Sequence, residues 1–91
     1  LYFEADGMYT NVQLVEGKQK TICKPLKHFV EQLSKNGMFF KCHRSYFINL
    51  KYVEELVKDD GDYLLMSNQK RIPISKSKRD QFLEVVKETF L

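Results

Sequence analysis

Turn-forming stretches interrupt this 91-residue chain at short intervals and leave room only for short strands and helices. ADG at 5–7, EGK at 16–18 and KDDGD at 58–62 each contain a glycine, which adopts positive φ at little cost. Many short strands, with turns about every ten residues, predict a small sandwich or barrel-like α+β arrangement that is mainly β with two short helices. The length predicts one domain, spanning residues 1–91.

Segments rich in β-formers separate these turns. We expect strands at residues 1–4, 8–15, 19–23, 51–57, 63–67 and 71–74. MFFKCHRSYFINL, 38–50, carries apolar residues in pairs, so it predicts extended pieces broken by a kink near His43–Ser45. Pro73 cannot donate to a strand ladder, so the last strand should lie at a sheet edge or end there. The chain opens inside an apolar strand, and we expect further strand residues upstream.

Two amphipathic stripes predict the helices. The first helix follows Pro25 and ends at Asn36–Gly37, where asparagine or glycine can take the left-handed C-cap conformation. Its apolar stripe has helical spacing and comprises Leu26, Phe29, Val30 and Leu33. Ser75 or Ser77 can cap the second helix. Its apolar face comprises Phe82, Val85, Val86 and Phe90.

The cysteine pattern bears on the compartment. Cys23 and Cys42 have no metal-ligand spacing, and each lies in an apolar-leaning segment, so we expect small core or half-buried thiols. So small a domain without a disulfide framework favours a reducing compartment, by default the cytoplasm. No apolar run approaches the roughly 20 residues of a membrane-spanning helix.

Charge is segregated along the chain, although the net charge is only +3. Residues 36–53 contain no acid, and residues 70–79 contain five bases and no acid. The acids between them cluster at 54–62. Such segregation can put positive potential on one face of the domain, although solvated strand and helix ends would give the same pattern.

The cluster His43-Arg44-Ser45 raises the question of catalysis or metal binding. A histidine–serine pair needs an orienting acid and an oxyanion hole to hydrolyse a substrate, and no Gly-x-Ser-x-Gly turn occurs. Cys42 and His43 are adjacent in sequence and would point in different directions, so they do not form paired zinc ligands. Each glycine is isolated in a turn, so no phosphate loop or dinucleotide motif exists. We expect no enzyme activity, cofactor or small-molecule substrate.

A surface that binds a polyanion fits the same residues better. Arg44, at a kink between buried aromatics, would be held in a fixed direction, where its planar fork can pair with guanine or phosphate. Ser45 and Asn49 can donate to phosphate oxygens. His43 is either a structural histidine bonded to a backbone carbonyl or a phosphate contact. Lys41 and Lys51 are further phosphate candidates.

Two further loops have the same character. PISKSKRD, 73–80, leaves the last strand and enters the second helix, where backbone N–H groups attract anions. Bases at a helix N-terminus oppose the helix dipole, which indicates a role other than stability. The loop ADGMYT, 5–10, projects Met8 and Tyr9, which could contact a base.

The segments LYFEADGMYTNV, KCHRSYFINL and IPISKSKRD occur in the order typical of one family, and the chain resembles the LytTR-type DNA-binding domain of bacterial transcriptional regulators. The resemblance implies an elongated antiparallel β fold whose loops enter successive major grooves of duplex DNA. It implies base or backbone contacts from Met8 or Tyr9, Arg44 and Lys76. The resemblance and the residue types discussed above together predict the following phosphate contacts: Lys41, His43, Ser45, Asn49, Lys51, Ser75, Lys78 and Arg79.

The resemblance also implies partners. Such domains follow a receiver or sensor domain, regulate transcription, and bind repeated half-sites as dimers, and the family usually has one or two strands before LYFEA. Lys76 stands where arginine is common, which should soften discrimination at that base. The alternative is a protein-interaction module whose basic loops bind an acidic partner. RNA binding is less expected, because most aromatics of 39–47 read as core.

Overall fold

The computed structural model describes residues 1–58 and 61–90, with side chains to residue 88. In this part of the chain it has eight strands and two α-helices, as the turn spacing predicts. The strands are β1 Tyr2–Asp6, β2 Tyr9–Gln13, β3 Gln19–Ile22, β4 Phe39–His43, β5 Tyr46–Asn49, β6 Val53–Val57, β7 Tyr63–Met66 and β8 Arg71–Pro73. The helices are α1 Leu26–Leu33 and α2 Lys76–Phe90.

The strands form two antiparallel sheets, which confirms the predicted fold class. The larger sheet has the order β3-β2-β1-β5-β4, and the smaller one has the order β6-β7-β8. The principal extents of the molecule are 34 × 26 × 24 Å, so one direction is moderately elongated. β8 lies at a sheet edge and ends at Pro73, as predicted from the missing proline donor.

The main core lies between the two sheets and α2. Phe82 of α2 packs edge-on against Phe40 of β4, with ring centroids 5.8 Å apart. Val85 and Val86 pack against the same cluster, which confirms the predicted apolar face of α2; the side chain of Phe90 lies outside the described residues. The buried members of this core are Tyr2, Phe40, Cys42, Ile48, Leu50, Leu64, Met66, Ile72, Ile74 and Phe82.

A second apolar cluster holds α1 against the larger sheet. Phe29 of α1 stacks on Phe3 of β1 with ring centroids 4.9 Å apart, and Phe39 stacks on Phe47 at 5.4 Å. A helix of eight residues is too short to be stable by helix propensity alone, so its packing against the sheet must stabilise it. No helix in the described part of the chain combines the length and apolar content needed to cross a bilayer.

The predicted left-handed cap after α1 is wrong. Neither Asn36 nor Gly37 has a positive φ. Instead, the side-chain Oδ1 of Asn36 accepts the backbone N–H of Met38 at 3.0 Å. An asparagine side chain that bonds its own backbone two residues later forms a turn without the left-handed region.

Three further expectations need correction. Cys23 is exposed, not half-buried, because it follows β3, an edge strand whose residues are all exposed. The strand expected at 51–57 begins at Val53, because Leu50–Tyr52 forms a 3-10 turn. The strand expected at 8–15 ends at Gln13, because a 3-10 turn follows. The buried position of Cys42 is confirmed.

Candidate nucleic-acid interface

Strand pairing brings two of the three predicted loops to the same end of the larger sheet. β1 is antiparallel to β5, with Glu4 opposite Tyr46, and the N–H of Ala5 donates to the carbonyl of Ser45 at 2.8 Å. The turn after β1 therefore lies beside the turn before β5. Neighbouring strands are about 4.8 Å apart, so the centres of these two turns are separated by roughly 10 Å.

The third loop, between β8 and α2, is attached to β4. The N–H of Ser75 donates to the carbonyl of Cys42 at 3.1 Å, and the thiol of Cys42 donates to the carbonyl of Pro73 at 3.6 Å. The start of α2 is thereby held next to the β4–β5 turn. We define the basic edge as the β1–β2 turn, the β4–β5 turn and residues 75–78, together with Lys41 and His43.

A concave pocket of about 360 Å³ lies within the basic edge. Three cationic side chains, one imidazole and one hydroxyl line it, and no carboxylate is among the lining residues. These residues are Lys41, His43, Arg44, Ser75 and Lys78. A pocket lined by one sign of charge concentrates anions, and the first N–H groups of α2 add to that potential.

The β4–β5 turn presents Arg44 to solvent. Its loop positions are Arg44 and Ser45, because His43 pairs with Tyr46. Between the pairs Phe40–Ile48 and His43–Tyr46, β4 has two residues and β5 has one, which is a β-bulge. The predicted kink near 43–45 is therefore a bulge followed by a tight hairpin turn.

The β1–β2 turn is built differently. Its loop positions are Gly7 and Met8, since Asp6 pairs with Tyr9, and Gly7 has a φ of 61°. Positive φ at the first loop position is the pattern of a type II′ hairpin turn. Met8 and Tyr9 are 71% and 49% exposed, so both apolar side chains project from the basic edge.

The basic residues at the start of α2 have different surroundings. Arg79 donates from its guanidinium to Asp62 Oδ2 at 3.0 Å, and the carbonyl of Asp62 accepts the N–H of Ile74. Arg79 therefore joins α2 to the residue before β7, and part of its charge is balanced within the protein. Lys78 lines the pocket, and Lys76 is exposed at the first residue of the helix.

The structure does not bring Asn49 and Lys51 to the basic edge. Both lie at the opposite end of the β4–β5 hairpin, where Asn49 Oδ1 accepts the N–H of Lys51 at 3.0 Å. Lys51 lines a second concavity, of about 500 Å³, together with Glu54 and Glu55. The environment of this lysine is thus apolar and acidic.

Lys24 is a basic residue of this region that the sequence analysis missed. Ile22 pairs with Thr10, and the buried hydroxyl of Thr10 donates to the carbonyl of Lys24 at 2.8 Å. Lys24 is therefore exposed at the same end of the sheet as Tyr9. No local pattern marks this position, because it depends on the pairing of β3 with β2.

Two titratable groups beneath the basic edge stay protonated. Burial, together with a 2.6 Å hydrogen bond donated to Glu4 and the charge of that carboxylate, raises the pKa of Tyr46. Burial raises the pKa of the Cys42 thiol to about 12. Neither group adds negative charge beneath the pocket at neutral pH.

Comparisons with known proteins identify the family of this chain. The family model described as the LytTr DNA-binding domain matches residues 1–87. Among solved structures, the chain is similar to the LytTr DNA-binding domain of a methyl-accepting/DNA response regulator from Bacillus cereus. The TM-score is 0.79 at 28% identity, covering 94% of this chain and 79% of that chain. A search of curated proteins gave no match. The chain belongs to the LytTR family of DNA-binding domains.

Proposed function

We propose that this domain recognises specific duplex DNA sequences through the basic edge and thereby regulates transcription. The observation that carries the proposal is the meeting of three loops, distant in sequence, at one end of the larger sheet. The pocket between the β4–β5 turn and the start of α2 is lined by Lys41, Arg44 and Lys78 and has no acidic lining residue. Phosphate contacts position a protein on DNA, and base contacts give specificity.

Each of the three loops supplies a proposed base contact. Arg44 is exposed at a tight turn, and its fork can pair with the O6 and N7 atoms of guanine in the major groove. Lys76 and the pair Met8–Tyr9 would contact neighbouring bases. The proposed phosphate contacts from the basic edge are Lys41, His43, Ser45, Ser75 and Lys78. The phosphate contacts of Arg79, Asn49 and Lys51 stay predictions from the sequence. Arg79 is paired with Asp62, and Asn49 and Lys51 lie at the far end of the β4–β5 hairpin.

Successive major grooves on one side of B-DNA are about 34–36 Å apart, whereas the two hairpin turns of the basic edge are separated by roughly 10 Å. We therefore propose that a dimer on repeated half-sites places its loops in successive major grooves. The similar Bacillus cereus domain comes from a response regulator, which supports an upstream receiver domain for this chain.

A selection from random duplex DNA at ~150 mM salt tests the proposal, because nonspecific phosphate binding is weak at that salt. An enriched, repeated motif that is lost with Arg44→Ala is the expected result. Lys51→Ala is the matched control, since it removes a basic residue away from the basic edge. If the folded domain enriches no motif, the proposal fails, and salt-sensitive binding without sequence preference would favour a surface for an acidic protein partner.

A further inference from the structure

The β4–β5 turn lacks the backbone features that normally stabilise a two-residue hairpin. Such turns favour positive φ at one or both loop positions, and hence glycine or asparagine. Neither Arg44 nor Ser45 has positive φ, and the bulge in β4 immediately precedes the turn. Something other than local backbone preference must therefore hold this conformation.

The imidazole of His43 supplies that restraint. Its Nδ1 accepts the backbone N–H of Ser45 at 3.1 Å, while the carbonyl of Ser45 accepts the N–H of Ala5 at 2.8 Å. Both backbone groups of Ser45 are thus fixed, one by the preceding strand and one by β1. The sequence predicts a structural histidine that bonds a backbone carbonyl. In the structure His43 is structural, but it accepts a backbone N–H instead.

The ring itself is held in place. It lies 6.0 Å from the ring of Tyr46, whose hydroxyl donates to Glu4 Oε2 at 2.6 Å. An Nδ1 that accepts a hydrogen bond carries no proton, so the neutral ring has its proton on Nε2. In this geometry Nδ1 is engaged by Ser45, and Nε2–H is the donor that His43 can offer to the pocket.

We propose that His43 is a positioning residue for DNA recognition, which sets the direction of Arg44 by holding the Arg44–Ser45 turn through Nδ1. This inference rests on the proposed function, since it assigns how the arginine of the basic edge is aimed. Bidentate pairing with a base requires a fixed direction, whereas a phosphate contact tolerates many directions. Loss of the Nδ1 acceptor should therefore reduce sequence discrimination more than general affinity for DNA.

Two substitutions separate the ring nitrogens. The amide oxygen of asparagine is separated from Cα by the same number of bonds as Nδ1 of histidine. The amide nitrogen of glutamine is separated from Cα by the same number of bonds as Nε2 of histidine. His43→Asn therefore keeps the acceptor for Ser45 and loses the distal donor. His43→Gln keeps a distal donor and loses the acceptor, so the pair forms a matched comparison.

The experiment measures the Kd of each variant for a selected duplex and for a scrambled duplex at the same salt. We expect the ratio of the affinity for the selected duplex to the affinity for the scrambled duplex to fall about tenfold in His43→Gln, because one hydrogen bond is lost. His43→Asn should keep the ratio and weaken both duplexes alike. Equal loss of the ratio in both variants, or loss with asparagine alone, overturns the inference.

Measurements on the free protein keep the inference separate from the proposed function. Amide exchange at Ser45 should remain slow in His43→Asn and become fast in His43→Gln. Ring nitrogen shifts of the unsubstituted protein should show the neutral Nε2–H form, and a proton on Nδ1 would overturn the inference even if His43→Gln fails to fold. If Arg44→Ala leaves the affinity ratio unchanged, the proposed function fails, while the amide data still report on His43.

Discussion

Two hairpin turns stand side by side on the basic edge, and they are stabilised in different ways. The β1–β2 turn uses its backbone, with Gly7 at a φ of 61°. The β4–β5 turn has no glycine and uses a side chain, the imidazole of His43, as the acceptor for Ser45. The first turn is encoded by local preference, and the second depends on one side-chain contact.

The difference shows how one edge can combine adaptable and directed contacts. Met8, on the glycine turn, is 71% exposed and has a flexible side chain that can adjust to a neighbouring surface. Arg44 lies between His43 and Ser45, which are joined by the hydrogen bond from the Ser45 N–H to His43 Nδ1. This bond restrains the backbone of Arg44, and with it the direction in which the side chain leaves the turn. We therefore expect discrimination between bases to come mainly from the β4–β5 turn.

The largest expected effect is that of Arg44→Ala. It should weaken binding to a selected site by about 1–3 kcal/mol and relax preference at one base pair. Met8→Ala, on the neighbouring turn, should cost less, because it removes an adaptable apolar contact. Binding titrations with single-base variants of the site measure both effects. Equal losses of discrimination in the two variants would remove the proposed difference between the turns.

Gly7→Ala tests whether the first turn depends on its backbone. A Cβ built at Gly7 meets no atom within 4 Å, so the cost is conformational and should be about 1–2 kcal/mol of unfolding free energy. Gly37→Ala is the control, because that glycine also has open space but no positive φ. Urea unfolding of both variants gives the comparison. A control that is destabilised as much as Gly7→Ala would show that the cost does not come from the positive φ of Gly7.

Lys78→Ala tests the proposed phosphate contact of Lys78 beside the β4–β5 turn. Binding should weaken on all sequences alike, and the slope of log K against log salt should fall by about one. Lys51→Ala should change this slope less, because Lys51 lies near Glu54 and Glu55. An equal change for Lys51 would mean that bound DNA extends to the far end of the β4–β5 hairpin.

Tyr46→Phe should give the smallest effect. It removes the hydrogen bond to Glu4 beside the His43 ring and should cost about 0.5–1.5 kcal/mol of stability. The raised pKa of Tyr46 means that its stabilising contribution is present below about pH 10, the ordinary tyrosine pKa, and is lost as pH rises above it. Stability measured from pH 8 upward should thus fall less steeply in the variant. An unchanged slope would contradict the role given to Tyr46.

Local chemistry in the sequence accounts for most element positions. Asp6-Gly7, the alternating β-formers and the apolar stripes identify strands and helices, and Pro73 identifies the edge position of β8. Charge and the family resemblance identify the three loops of the basic edge. The cap predicted after α1 is wrong because the side chain of Asn36 forms the turn there. The two strand boundaries are wrong because 3-10 turns take the place of strand residues.

What the sequence could not show is which segments become neighbours. The positions of Lys24 and Lys51 follow from strand order and from the ends of hairpins, which depend on long-range pairing. The bond from Ser45 to His43 is local in sequence, but its direction depends on the bulge in β4. Alternation patterns do not reveal that bulge, because the apolar residues of 39–47 occur in pairs.

The extra residue in β4 also determines which changes of chain length the domain can tolerate. With one more residue than β5 across the bulge, β4 buries Cys42 in the core and still places His43 opposite Tyr46. Deletion of Lys41 would let the strands pair regularly with His43 still opposite Tyr46, but Cys42 would then pair with Phe47 and turn to the face of the sheet where Phe47 packs against Phe3. A single-codon deletion would therefore leave the β4–β5 turn in register and still disturb the contacts of Cys42 with Pro73 and Ser75, which hold the start of α2 at the basic edge.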